Sequence, residues 1–160
     1  MFRIWSIILW LVSQVLVTQA YAMTAAERMA ILDAVRPVAA KKAGQAVKIK
    51  VDEIKQDGDW VMLIGGLVGA EKPMNWRLAG CEPELDKMLW VMLQRNTRAN
   101  QEWQVKRIDI CASEPPYWYI KEQGGFVPAC GVYAGLSSAD GQDLQKQCEK
   151  VMAQAMMRKK

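Results

Sequence analysis

The sequence predicts an α+β domain: a helix packed on a curved antiparallel sheet, cystatin-like or nuclear-transport-factor-like, with a further helix added at the C-terminus. Three observations lead there. Apolar residues recur at helical spacing near both ends of the region beyond residue 22 and alternate with polar ones between. A hairpin turn, Gln56-Asp57-Gly58-Asp59, separates two strand-like runs. The chain has 160 residues, 51% of them apolar and 24% charged, which suits one domain with its own core and excludes a disordered tail or a large multidomain enzyme.

Residues 1–22 read as a secretory signal peptide. Arg3 gives the positive start, an apolar run follows from Ile4 to Val17, and Ala20-Tyr21-Ala22 is a small-x-small cleavage site. The run is shorter than the roughly 20 apolar residues that span a bilayer, so no stable membrane anchor is expected after cleavage. The remaining residues, 23–160, form the single α+β domain.

Thr24-Ala25-Ala26-Glu27 is a capping-box pattern. Met29, Leu32, Val35 and Ala39 then keep helical spacing, and Gly44 is a stop, so a helix is expected over 25–43 despite Pro37. Val47, Ile49 and Val51 alternate with Lys48, Lys50 and Asp52, the mark of a half-buried strand. Trp60 to Val68 is nearly all apolar and belongs in the centre of a sheet, with Gly65-Gly66 marking a bulge or a close backbone approach. Residues 69–82 are irregular.

Pro83 fits a first helical position, and Leu85, Met88, Leu89, Met92 and Leu93 fall on one helical face, which predicts a second helix ended by the polar run Asn96 to Glu102. Trp103 to Cys111 is a third strand whose apolar phase changes between Val105 and Ile108, as a bulge would cause. Leu144, Cys148, Val151, Met152, Ala155 and Met156 share one face of a final helix, acidic near its start and basic at its end.

Four cysteines lie beyond the leader, and in an oxidising compartment an even number reads as disulfides. Three connectivities are open; closing the shortest loops favours Cys81–Cys111 and Cys130–Cys148. No pair has C-x-x-C spacing, so a redox or metal role is not expected.

The chain contains no histidine, which removes Ser-His-Asp and Cys-His catalysis and His-ligated zinc. Nothing matches a phosphate loop or a calcium loop. No catalytic residue, metal or cofactor is expected. The acids sit mostly at turns and helix starts, and Asp109 lies on the opposite strand face from Ile108 and Ile110. A formal net charge of +4, one unit of which leaves with Arg3, is too small to argue for nucleic acid.

Five tryptophans lie beyond the leader. Trp60 and Trp103 begin strands and belong to the core. Trp76 beside Arg77, and Tyr117-Trp118-Tyr119 after two prolines, are the candidates for a recognition surface, because Trp, Tyr and Arg dominate interface energetics. The competing reading is that these aromatics cover the core where regular structure is missing.

Three blocks, Ile31-Leu32-Asp33-Ala34-Val35-Arg36-Pro37, Gly44-Gln45-Ala46-Val47 and Gly58-Asp59-Trp60, are continued more loosely by Trp103-Gln104-Val105, Pro115-Pro116-Tyr117-Trp118 and Pro128. In these the chain resembles a family of small exported bacterial proteins over residues 27–133. The resemblance implies fold and compartment and carries no catalytic residues. The cysteines and the helix after Leu136 depart from that family. Together these readings point to a non-enzymatic periplasmic protein that binds a protein partner in the cell envelope, as an inhibitor or immunity-type partner of a toxin or envelope hydrolase. The alternatives are a pocket protein for a small apolar or glycan ligand and a carboxylate-dependent cell-wall hydrolase.

Overall fold

The computed structural model describes residues 23–84, 86–97, 101–113 and 128–157; the leader expected over 1–22 lies outside them. The elements run α1 (Ala25–Ala43), β1 (Val47–Asp57), β2 (Trp60–Gly69), β3 (Met88–Arg95), β4 (Trp103–Ala112), a 3₁₀ turn (Cys130–Tyr133) and α2 (Leu144–Met157). The strands form an open, curved antiparallel meander in the order β1-β2-β3-β4. This is the α+β class expected, with the C-terminal helix added.

Helix α1 begins where the Thr24 hydroxyl accepts a hydrogen bond from the Glu27 amide at 3.1 Å, and it ends at Gly44, whose φ of 66° only glycine adopts without strain. Pro37 sits inside it without ending it. Its buried stripe is Ile31, Leu32, Val35, Ala39 and Ala43, while Met29, expected on that stripe, is exposed.

The β1–β2 hairpin turns through Gly58-Asp59, between the paired Asp57 and Trp60, with Gly58 at a φ of 56°, inside the expected turn signal Gln56-Asp57-Gly58-Asp59. Its register shifts between Val51 and Glu53, leaving Asp52 as the extra residue of a bulge. Gly65 lies opposite Val51, and a Cβ there would collide with the Lys50 carbonyl oxygen, whereas one at Gly66 would meet open space. The glycine pair thus marks both a bulge in its partner strand and a close backbone approach.

Residues 88–95 form a strand, which corrects the helix expected from 83 onward (Leu85 lies outside the described residues). The helical stripe of Met88, Leu89, Met92 and Leu93 was coincidental, because Trp90 and Val91 between them are apolar too and left no polar face. The physical cause is burial on both sides. Leu89, Val91 and Leu93 point into the core shared with α1, together with Val61, Leu63 and Ile110. Trp90 and Met92 point the other way, into a second core with Trp60, Met62, Val132, Tyr133, Leu144 and Cys148. A strand covered on both faces reads as a continuous apolar run rather than an alternation.

The expected phase change in β4 is a bulge: Leu93 pairs with Val105 and Met92 with Arg107, so Lys106 is the additional residue. The second core is tied down at three points. Lys55 Nζ donates to the Ala134 carbonyl, the Gly131 amide donates to Asp57 Oδ2 at 2.8 Å, and a disulfide joins Cys130 to Cys148 with Cα atoms 5.5 Å apart. Burial there pushes the Tyr133 hydroxyl up to about 12. A second disulfide, Cys81–Cys111, spans 5.6 Å between Cα atoms and fastens the 70–82 loop to the end of β4. Both are the pairs that shortest-loop closure favours. Among the described residues no helix is long and apolar enough to cross a membrane.

Candidate functional site

The N-terminal half of α1 and the turn end of the β3–β4 hairpin line a cleft of about 720 Å³. Helical spacing brings Thr24, Glu27, Ala30 and Ala34 along one side of it, with Asp33 beside them; Arg95, at the end of β3, and Gln101-Glu102-Trp103, leading into β4, form the other.

Arg95 organises this cleft. Its guanidinium carbon stands 4.6 Å from the centre of the Trp103 ring, its register partner across the hairpin. Arg95 Nη2 donates to Glu27 Oε1, which also accepts from Gln56 Nε2 at 3.3 Å. Glu27 therefore turns its carboxylate across the domain toward β1 and β3, and the threonine half of the expected capping box is the half that the hydrogen bonds display. The Arg95 backbone is itself held, its amide donating to the Asp59 carbonyl at 2.8 Å. Each side chain of the Glu27–Arg95 pair keeps a quarter of its surface exposed, so the pair faces the cleft rather than the dry interior. Arg95 Nε is buried without a hydrogen-bond partner among the described residues.

Apart from Ala30 and Ala34, the rest of the lining is polar. Glu102 is exposed, its carbonyl accepting from the Asn96 amide at 2.9 Å. Asp33 pairs with Arg36 one helical turn on. Gln101 has a φ of 52°, the one non-glycine residue with positive φ among those described, in the turn that forms the rim. Rigidly held charge, an amide, a hydroxyl and an aromatic wall can orient a ligand. The Thr24 hydroxyl accepts from the Glu27 amide, and the Glu27 carboxylate is engaged by Arg95 and Gln56. Ser138, outside the cleft, donates to the Asp140 carboxylate and accepts from the Gln142 amide at 3.1 Å, which closes a loop and holds Asp140 below the usual carboxylate range. Among the described residues no three potential metal ligands converge.

The surface expected from the sequence lies elsewhere. Trp76 is half-buried and packs against the α1-side core, and Arg77 is exposed next to Leu78, which is 61% exposed. Their loop is held by Asn75 Oδ1, which accepts from the Arg77 amide at 3.1 Å, and by the Cys81 amide donating to the Trp76 carbonyl at 3.0 Å. Leu78 stands beside Gly44, at the C-terminal end of α1, while the cleft is at its N-terminal half. The core-covering role therefore describes the Trp76 ring, and Arg77 and Leu78 are what the loop presents. Tyr117, Trp118 and Tyr119 lie outside the described residues.

Sequence reading gave Glu27 only a capping role, passed over Arg95, Gln101 and Glu102 as site residues, and assigned Trp103 to the core alone. The available signal was the pair Arg95 and Trp103 flanking a short polar turn. Reading residues 83–95 as a helix hid it, because only a strand brings those two side chains opposite each other. The chain matches no family model, no curated protein and no solved structure.

Proposed function

We propose that this protein is a non-enzymatic binding protein of the periplasm, exported by residues 1–22 and cleaved after Ala22, and that it restrains a protein partner of the cell envelope, such as a toxin or an envelope hydrolase, by receiving part of it in the cleft beside α1. The carrying observation is Arg95, a cation pinned between Glu27 and the Trp103 ring at the edge of an open cavity. A side chain so ordered has already lost the conformational freedom that binding would otherwise take away, which favours tight recognition. Two disulfides staple the domain outside the cleft, and they agree with an oxidising compartment. The leader-like start and the family resemblance point the same way.

Ala30→Arg provides the test, because Ala30 is exposed on α1 and lines the cleft, so a long side chain there occludes the cavity without disturbing the core. The wild type is expected to form a stoichiometric complex with one protein in envelope extract, lost in Ala30→Arg and kept in Arg77→Ala. Loss in Arg77→Ala alone would move the interface to the Trp76–Arg77 loop. A co-purifying glycan or other small molecule in place of a protein would favour the pocket reading, and turnover of cell-wall material would overturn the non-enzymatic one.

A further inference from the structure

We infer that the group the cleft receives is a basic side chain, a lysine or arginine of the partner, which rests on the reading of the cleft as the protein-binding site. Among the described residues three carboxylates line it, Glu27, Asp33 and Glu102, against one cation, Arg95. The Arg95 charge is already met. Its Nη2 donates to Glu27, its Nε is buried, and the guanidinium stands over the Trp103 ring. The edge formed by Nε and Nη2, one of the two that grip a carboxylate as a fork, is therefore closed to an incoming acid. Such an acid would also have to pass Asp33 and Glu102.

Those two carboxylates stand on opposite walls. Asp33, on α1, stays largely exposed, and the Arg36 that pairs with it is not part of the lining. Glu102, leading into β4, is exposed and has no ion-pair partner among the described residues. Asp33 lies beyond the first turn of α1, where the positive end of the helix dipole would oppose a cation, and that turn already holds Glu27. Ala30 and Ala34 keep the α1 wall shallow, so an alkyl stem can lie along it while its charged head reaches the carboxylates. Because Arg95 already covers the Trp103 ring, the carboxylates carry the recognition. Arg95 is then a positioning residue that fixes Glu27 and the indole within the wall.

The test uses protein purified from exporting cells, its N-terminus determined by mass spectrometry, and two fluorescent peptides read by anisotropy. Both have a flexible Gly-Ser background, one carrying two arginines and the other two glutamates at the same positions. At low salt the arginine peptide is expected to bind about tenfold more tightly, and high salt is expected to remove the difference. Glu102→Gln with Asp33→Asn is expected to weaken its binding about fivefold. Arg77→Ala, outside the cleft, is expected to leave it unchanged. Equal binding of the two peptides, binding of neither, or an arginine preference untouched by the carboxylate variant would each overturn the inference. The complex from envelope extract separates this from failure of the reading beneath it. A complex lost in Ala30→Arg but undiminished in Asp33→Lys with Glu102→Lys would keep the cleft as the protein site and overturn the basic side chain. An arginine preference without any protein complex would sink the partner reading and leave the preference for a cation standing.

Discussion

Arg95 and Trp103 face each other across the β3–β4 hairpin, with the guanidinium 4.6 Å above the indole ring. The contact joins the end of the most deeply buried strand to the cleft, and Glu27 on α1 completes it. One interaction therefore links helix, sheet and candidate site. The pair remains partly hydrated, so its energy is modest, and its use is to hold a cation in one orientation.

A double-mutant cycle measures that link. Glu27→Gln and Arg95→Met are each expected to lower stability by about 1 kcal/mol, with a coupling energy of about 0.5–1 kcal/mol, the range for half-exposed ion pairs and cation–π contacts. Chemical denaturation of the four proteins provides the values. A coupling of zero would mean that the pair forms without constraining the cleft.

The two neighbouring glycines of β2 are expected to behave differently. Gly65→Ala drives a methyl group into the Lys50 carbonyl and is expected to cost about 1–3 kcal/mol as β1 shifts. Gly66→Ala meets open space and is expected to change stability by less than about 1 kcal/mol. Thermal melts of the two variants, side by side, check the β1–β2 register directly.

Tyr133 predicts an alkaline limb. Its hydroxyl keeps its proton in the folded state up to about 12 but releases it near 10 when unfolded. Below pH 10 both states are protonated and nothing is lost. As pH rises from 10 to 12 the unfolded state releases the proton first, so stability falls, by about 2–3 kcal/mol at most. Tyr133→Phe is expected to flatten that part of the stability–pH curve relative to wild type while leaving its course below pH 10 parallel. Equal slopes in the two proteins would show that the ring is hydrated.

The disulfides are expected to act on different parts of the fold. Each closes a short loop, with sequence separations of 30 and 18, and its removal is expected to cost about 3 kcal/mol. Cys130→Ser with Cys148→Ser should release amide protons of α2 to fast exchange while the α1–sheet core stays protected. Cys81→Ser with Cys111→Ser should loosen the loop carrying Trp76 and leave α2 protected. Hydrogen exchange with mass spectrometry separates the two patterns, and peptide mapping without reductant verifies the pairing.

Much of the fold could be read locally. The limits of α1 follow from Thr24 and Gly44, the first hairpin from Gln56-Asp57-Gly58-Asp59, and the β4 bulge from the broken alternation between Val105 and Ile108. Each is a short-range matter of capping, turn geometry or side-chain period. The α2 stripe is similarly legible because half of that helix meets solvent. For β3 the local pattern misled, since Met88, Leu89, Met92 and Leu93 satisfy a helical period that Trp90 and Val91 do not contradict.

Capping, turns and periodicity act between neighbours along the chain, and they were enough to specify the α+β class, both helices and three of the four strands. The fourth strand, and the cleft that depends on it, needed partners distant in sequence. Whether a continuous apolar run becomes helix or strand is settled by what covers its second face, here Tyr133 and Leu144 from the C-terminal segment. Once that burial makes residues 88–95 extended, strand pairing sets Arg95 against Trp103 and turns it toward Glu27, 68 positions away in the chain.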